Sequence, residues 1–196
     1  LRYLKEMNFT AIVPEDYVLP TSLGGFTNGV YAVEMAAGFA TLENNGVYRV
    51  PGCITRIVDS YDNVVYQAEP LNYVVYQNMA ARMMVASLIS VMTEGTGSKV
   101  ALEEIPCAGK TGTTNDHKDG WFVGFTPYYT TSVWVGYDMP KEVKDLQGSS
   151  YPGRIWQSYM QVIHQDLEPV DFVTYEKPET KPKTEDVPTA DPGAEE

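Results

Sequence analysis

The sequence predicts an α+β fold in which an antiparallel sheet is flanked by helices. Three β-like runs follow one another with only short turns between them, at residues 108–116, 119–127 and 130–138. Apolar residues at helical spacing predict helices at residues 30–43, 76–93 and 151–165. Because strands joined by short turns pair antiparallel and helices bury their apolar side on a sheet, these elements are expected to form one layered unit.

The segments before the sheet are bounded by caps and breakers. Residues 1–7 predict the last turns of a helix, and the Pro and Gly residues within 14–29 predict a surface loop. The helix at 30–43 has Asn28 as its candidate cap and Asn45-Gly46 as its stop. Two β-like runs within residues 53–67 then predict a hairpin.

Several large apolar side chains are predicted to pack in the core. In the helix at 76–93 one stripe consists of Met79, Met83, Met84 and Leu88. Core packing is the commoner role for such a stripe, although Met-rich faces also form adaptable binding surfaces. The three tryptophans are Trp121, Trp134 and Trp156. They are expected to pack helix against sheet rather than to form a sugar-stacking platform.

The stretch Lys110-Thr111-Gly112-Thr113-Thr114 carries the most chemistry. An edge strand offers free N–H and C=O groups to an extended peptide, and Gly112 lets a ligand backbone approach closely. Lys110 supplies an ammonium for a carboxylate, while the hydroxyls of Thr111 and Thr113 are donors on one strand face. A backbone N–H near Thr113 is a candidate oxyanion donor. The predicted catalytic residues are Lys110 and Thr113, and the predicted substrate-binding residues are Thr111, Gly112, Thr113 and Thr114.

Taken alone, this motif also fits a solvated, Thr-rich sheet face, but its context is specific. K-T-G accompanies S-x-x-K and S-D-N in β-lactamases and penicillin-binding proteins. Here AGKTGTTND, DGWFVGFTP, TTSVWVGYD and PGRIWQSYM resemble the C-terminal half of the transpeptidase domain of class A penicillin-binding proteins. LPTSLGGFTNGVYAVEMAAGFATLENNG and TEGTGSKVAL resemble a helix and a Gly-Thr-Gly loop of that family. The resemblance covers residues 1–165 and implies the penicillin-binding-protein and β-lactamase-like transpeptidase fold, incomplete in this chain.

Two motifs of that family are missing from the chain. No Ser has a Lys three residues later, and no S-x-N occurs. Tyr61-Asp62-Asn63 matches a Y-x-N variant, but its place between two β-like runs favours a hairpin turn. The resemblance therefore implies that the nucleophilic Ser lies before Leu1 in a longer protein. We expect the chain by itself not to form an acyl-enzyme.

The resemblance implies a serine-type D-Ala-D-Ala transpeptidase or carboxypeptidase of the bacterial cell wall. Its expected partners are peptidoglycan stem peptides ending in D-Ala-D-Ala, β-lactams and the N-terminal half of the same domain, with no metal or cofactor. The parent is expected to carry a glycosyltransferase domain and a membrane anchor upstream, which would place this part on the extracytoplasmic face. Two alternatives are an inactive penicillin-binding-like sensor and, less favoured, a serine β-lactamase.

The amino-acid composition excludes some classes of protein and indicates where the folded domain ends. The 196 residues are 43% hydrophobic, which is enough for a core, and no run approaches the length of a membrane span. The net charge of −12 argues against a nucleic-acid partner. Residues 166–196 hold ten acidic residues, three Lys and five Pro, and therefore predict a disordered acidic tail after a domain at 1–165.

The cysteines and histidines give weaker signals. Cys53 and Cys107 are compatible either with a disulfide or with two single thiols. His117 and His164 are far apart in the sequence and lack paired ligands, which argues against zinc. His117 follows the predicted carboxylate clamp and is expected to be a solvated turn residue, with substrate gating as the less favoured alternative.

Overall fold

A computed structural model describes residues 1–173 and residue 175. Within these residues the α-helices are α1 (Arg2–Glu6), α2 (Ala32–Glu43), α3 (Asn78–Thr93) and α4 (Tyr151–Ile163). The strands are β1 (Val47–Arg49), β2 (Arg56–Val58), β3 (Val64–Gln67), β4 (Asn72–Val74), β5 (Ala108–Thr113), β6 (Gly120–Phe125) and β7 (Thr130–Val135). The predicted α+β architecture with antiparallel pairing is confirmed.

The main sheet has the order β5-β6-β7 and is covered by helices on both faces. Successive side chains of a strand point to opposite faces, and Phe122 and Phe125 of β6 are three positions apart, so they lie on opposite faces of the sheet. Phe125 packs with Val85 and Leu88 of α3 and lies 6.4 Å, centroid to centroid, from Phe39 of α2. Phe122 packs instead on Trp156 of α4, with ring centroids 4.9 Å apart. The sheet is therefore a central layer between α2 and α3 on one face and α4 on the other.

Helix α3 buries a different stripe from the predicted one. Its buried residues are Ala81, Val85, Leu88 and Met92, which recur every three or four positions. Met79, Met83 and Met84 are 47%, 47% and 49% exposed, so the core role predicted for these three is wrong. The reason is helical phase, because these methionines lie beside or opposite the stripe that contacts β5.

Helix α2 begins two residues later than predicted and ends where the sequence indicates. Its N-cap is Tyr31 rather than Asn28, and the Glu34 carboxylate accepts the Tyr31 N–H at 3.3 Å. Asn45 and Gly46 have φ values of 56° and 85°, which stops the helix. A Cβ on Gly46 would lie 2.2 Å from the Tyr76 carbonyl oxygen, so only glycine fits there.

The predicted hairpin is formed by β2 and β3. The Asp59 carboxylate accepts the N–H groups of Tyr61 and Asn63 at 2.8 and 2.9 Å, which closes the turn. Tyr61-Asp62-Asn63 therefore lies in a hairpin turn, as expected. Strands β1 and β4 pair outside this hairpin, with Tyr48 opposite Tyr73, a ladder that the sequence analysis missed.

Packing continues past the predicted domain boundary at residue 165. The ring of Phe172 meets that of Phe125 edge-on, with centroids 5.6 Å apart. An aromatic side chain in the otherwise acidic segment explains this contact, because its burial removes a large apolar area from water. Residues 174 and 176–196 of the predicted tail lie outside the described residues. No helix in the described part of the chain has the length and apolarity needed to cross a membrane.

The buried carboxylate of Asp16 makes the loop at residues 13–27 sensitive to pH. It accepts the N–H groups of Val13 and Thr27 at 3.0 and 2.7 Å, and these hydrogen bonds lower the pKa of Asp16. Because the folded pKa is below the unfolded one, the stabilisation is present at neutral pH and is lost as pH falls through the folded pKa.

We therefore expect Asp16→Asn to lower the thermal unfolding midpoint at pH 7. The difference from the unmodified protein should shrink progressively as the pH is lowered through the acidic range in which carboxyl groups titrate. Thermal unfolding followed by circular dichroism between pH 7 and pH 3 measures it. Asp62→Asn, in the exposed hairpin turn, is the matched control. A difference between wild type and Asp16→Asn that does not change with pH would contradict this account.

Candidate functional site

Strand β5 presents a free backbone edge in the described chain. The Thr114 N–H donates to the Asp119 carbonyl at 3.0 Å, and this sets the phase of the antiparallel β5–β6 ladder. In an antiparallel ladder this geometry recurs at every second residue, so the backbone N–H and C=O groups of Gly112 and Lys110 also point toward β6. The N–H and C=O groups of Thr111 and Thr113 therefore point away from β6. Among the described residues no backbone group pairs with them, which leaves an edge that an extended peptide can join.

The side chains of the predicted site lie on both faces of strand β5. Lys110 lies on the same face as buried Ala108, the face covered by α2 and α3. Thr111 and Thr113 share the opposite face, as predicted, and Lys110 stands across the strand from them. A ligand that pairs with β5 would thus meet an ammonium on one side of the strand and two hydroxyls on the other.

Lys110 is exposed, and no acidic side chain among residues 1–173 pairs with it. Its Nζ donates to the Thr111 carbonyl at 2.9 Å, which confirms that this carbonyl is outside the ladder. The two salt bridges in the described part of the chain join Arg2 to Glu6 and Lys118 to Asp116. The positive charge of Lys110 is therefore available to an anion at the edge of β5.

The two threonine hydroxyls are each held by another segment. Thr111 Oγ1 lies 2.7 Å from Thr96 Oγ1, in the loop after α3. Thr113 Oγ1 accepts the Gly148 N–H at 2.9 Å, in the loop before α4. Sequence reasoning missed both partners, since they lie far along the chain from β5. The available signal for Thr96 was the pair of flanking glycines, which commonly mark a tight approach of backbone.

Thr114 is engaged differently from the rest of its motif. Its hydroxyl accepts the N–H groups of Lys118 and Asp119, both at 2.9 Å, and so closes the turn between β5 and β6. His117 occupies the same turn with a φ of 51°. Its ring Nδ1 lies 2.8 Å from the Leu146 carbonyl oxygen. His117 is exposed, as expected, and ties this turn to the loop that carries Gly148.

Gly148 fits against β5 because it has no side chain. A Cβ at this position would lie 2.7 Å from Thr111 Cβ and 2.8 Å from the Gly112 nitrogen, and neither atom is free to move. Gly148→Ala should therefore push the loop away from β5, lengthen the Gly148–Thr113 hydrogen bond and lower the free energy of unfolding by about 1–3 kcal/mol. Urea denaturation of the complete domain measures this effect.

Gly52→Ala is the matched control, because a Cβ at residue 52 meets nothing within 4 Å. It should leave the unfolding midpoint nearly unchanged. Equal midpoints for Gly148→Ala and the unmodified domain would show that the loop is not held where the structure places it.

Two of the three tryptophans, Trp121 and Trp134, are less buried than predicted. Trp156 is fully buried, and its Nε1 donates to the Gly124 carbonyl at 3.1 Å. Trp134 is 38% exposed, so the core role predicted for it is wrong. Its indole N–H donates to Asp119 and its ring packs on Trp121 at 6.5 Å between centroids. Each of these two rings covers the other at the end of the sheet that holds Gly112, which leaves both partly accessible.

The two cysteines do not form a disulfide bond. Cys53 and Cys107 are both free, the first exposed and the second buried. The disulfide alternative is therefore wrong. Burial raises the pKa of the Cys107 thiol, which keeps this residue in its neutral form. In the part of the chain that the structure describes, no group of three His, Cys, Asp or Glu side chains has an arrangement suited to a metal ion.

Comparison with known proteins identifies the family of this chain. A family model described as "Penicillin binding protein transpeptidase domain" matches residues 18–161. Penicillin-binding protein 4 of Bacillus subtilis is 35% identical over 162 residues, which cover 83% of this chain and 26% of that protein. Penicillin-binding protein 1A of Aquifex aeolicus is 37% identical over 152 residues, 77% of this chain and 21% of that protein.

Solved structures share the fold. The structure of penicillin-binding protein PonA1 from Mycobacterium tuberculosis has a TM-score of 0.73 at 22% identity and covers 89% of this chain and 51% of that one. Penicillin-binding protein 1A from Haemophilus influenzae has a TM-score of 0.75 at 20% identity, covering 89% and 32%. The chain thus spans only part of each relative. Its matching family model and its curated relatives show that it belongs to the penicillin-binding protein transpeptidase domain family.

Proposed function

We propose that this chain supplies the substrate-binding edge of a D,D-transpeptidase that cross-links peptidoglycan by a serine acyl-enzyme mechanism. The observation that carries the proposal is the free edge of β5, flanked by two hydroxyls and by an ammonium that has no acidic partner in the described part of the chain. Strand addition would hold a stem peptide in register, and charge would select its terminal carboxylate. This combination suits a ligand that is extended and ends in an acid.

In the proposed reaction a donor peptide ending in D-Ala-D-Ala pairs with β5. Its terminal carboxylate meets Lys110, Thr111 and Thr113, while a Ser outside this chain attacks the carbonyl of the penultimate residue. The Ser oxygen forms an ester with this carbonyl carbon, the peptide C–N bond breaks, and the proton lost by the Ser hydroxyl is transferred to the amine of the departing D-Ala. An acceptor amine then attacks the ester and releases the Ser, the two-step logic of covalent catalysis.

The backbone N–H of Thr113 is the proposed donor to the oxyanion that forms in each step. The ladder phase turns this N–H away from β6 and toward the open edge. A preorganised N–H at that point stabilises charge that develops only in the transition state, an effect worth roughly 3–4 kcal/mol in other acyl-transfer enzymes. Gly112, immediately before it, keeps the approach to this N–H free of a side chain.

β-Lactams are proposed to acylate the same Ser, with their carboxylate at the same threonines. Solved relatives support this proposal: PonA1 from Mycobacterium tuberculosis is known in complex with penicillin V, and penicillin-binding protein A as a ceftriaxone acyl-enzyme.

We further propose that the full protein carries a glycosyltransferase domain and a membrane anchor, and that the transpeptidase domain faces the extracytoplasmic side. The small share of the curated relatives that the chain spans, 26% and 21%, supports a larger parent.

The test joins this chain to the upstream half of its domain, with the S-x-x-K and S-x-N segments included. Fluorescent penicillin should label the complete domain covalently, and the domain should release D-Ala from a peptide ending in D-Ala-D-Ala. Replacing the Ser of S-x-x-K by Ala is the control and should abolish both signals. Absence of labelling would contradict the proposal and favour an inactive sensor, and rapid release of hydrolysed penicillin would favour a β-lactamase.

A further inference from the structure

The hydroxyl of Thr111 is paired with a second hydroxyl whose role the proposed reaction does not explain. We infer that Thr96 is a positioning residue, which orients the Thr111 hydroxyl so that it donates to a carboxylate at the edge of β5. This inference rests on the proposed function, because it concerns the carboxylate of the same substrate. Thr96 acts through Thr111 and need not touch the ligand.

The Thr113 hydroxyl is already oriented by a hydrogen bond from the backbone of Gly148. The Gly148 N–H has only a donor role, so Thr113 Oγ1 must accept from it. One lone pair of the hydroxyl is then occupied, and its hydrogen remains free to point elsewhere. With Gly148 in place, Thr113 is prepared to donate to an anion. The chain provides this arrangement from its own backbone, before any ligand binds.

Among the described residues Thr111 has no backbone partner of this kind, and Thr96 takes that place. The two hydroxyl oxygens are 2.7 Å apart, and either one can be the donor. When Thr111 donates to a carboxylate, its hydrogen is used, so the hydrogen between the two oxygens must come from Thr96. The anion therefore selects one direction for the pair, Thr96 to Thr111 to carboxylate. Hydrogen bonds aligned in this way strengthen one another.

The loop that holds Thr96 is built for this contact. The N–H groups of Gly95 and Gly97 donate to the carbonyls of Ser90 and Val91, both at 3.0 Å, which folds the loop back on the end of α3. A Cβ on Gly95 would lie 2.7 Å from Val91 Cα. Gly97 is similarly close to Met92, whose Sδ would lie 2.7 Å from an added Cβ. These two hydrogen bonds and the close packing of Gly95 on Val91 hold the loop against α3, so Thr96 is presented to β5 at a defined place.

The experiment compares Thr96→Val with Thr96→Ser in the complete domain. Valine keeps the shape of threonine and removes the hydroxyl, whereas serine retains it. We measure the second-order rate constant of acylation by benzylpenicillin, which has a free carboxylate, and by its methyl ester, which does not. Thr96→Val should lower the rate constant for benzylpenicillin roughly tenfold and leave that for the ester nearly unchanged. Thr96→Ser should restore the rate for the acid.

Thr93→Val is the matched control, because the Thr93 hydroxyl donates to the helix carbonyls of Ile89 and Ser90 and to no other group that the structure describes. It should change neither rate. An equal loss for acid and ester in Thr96→Val would show a merely structural role, and no loss for either would also overturn the inference. A wild-type domain that neither compound acylates is a different result, since it contradicts the proposed function itself.

Discussion

Replacing Lys110 by Ala in the complete domain is expected to lower the rate of acylation by fluorescent penicillin about 100-fold or more. The ammonium of Lys110 has no acidic partner among the described residues and stands at the free edge of β5, beside the proposed place of the ligand carboxylate. Its loss removes a charge-assisted contact, and neutral hydroxyls on the opposite face replace only part of that attraction. Time-resolved labelling at several penicillin concentrations gives the second-order rate constant.

Lys141→Ala is the matched control for this change in charge. Lys141 is exposed, and its Nζ lies 3.8 Å from the ring centroid of Tyr137, which follows β7, the strand that β6 separates from β5. The control removes one positive charge from the surface and should leave the rate constant within about a factor of two. If Lys110→Ala is labelled as fast as Lys141→Ala, Lys110 has no role in the site.

Replacing Trp156 by Ala is expected to lower the free energy of unfolding by about 3–5 kcal/mol. Trp156 is fully buried in α4 and packs on Phe122 of the sheet. Its removal leaves a cavity at the interface of helix and sheet, and the Gly124 carbonyl loses the indole N–H that it accepts at 3.1 Å. Urea denaturation of the complete domain, followed by circular dichroism, measures the loss.

Tyr159→Ala removes another aromatic side chain from the same helix and serves as its control. Tyr159 is 52% exposed, so its replacement should cost less than about 1 kcal/mol. A similar midpoint for the Trp156 and Tyr159 variants would show that α4 does not pack on the sheet as described. The position of Gly148 would then also be in doubt, because its loop leads directly into α4.

The strands of the main sheet could be predicted because their local signals agree with their tertiary environment. The runs containing Lys110, Phe122 and Val133 combine β-branched and aromatic residues with short turns, and the three pair in sequence order. The hairpin turn at Tyr61-Asp62-Asn63 could be predicted for the same reason. At these positions the local preference for strand or turn agrees with the strand pairing of the folded chain.

Features that depend on distant contacts could not be predicted in this way. Strands β1 and β4 are three residues long and pair across the hairpin, so neither has a recognisable pattern of its own. The exposure of Met83 follows from the rotation of α3 on the sheet, which composition does not reveal. The contacts of Thr96 and Gly148 with β5 join residues 15 and 35 positions apart, and no local rule links them.

The most direct test of the account is a crystal structure of the complete domain acylated by benzylpenicillin. We predict that the penicillin carboxylate lies within hydrogen-bond distance of the Thr111 and Thr113 hydroxyls, with the acyl carbonyl oxygen facing the Thr113 N–H. An acylated domain whose ligand carboxylate contacts neither threonine, with the edge of β5 unoccupied, would contradict the account.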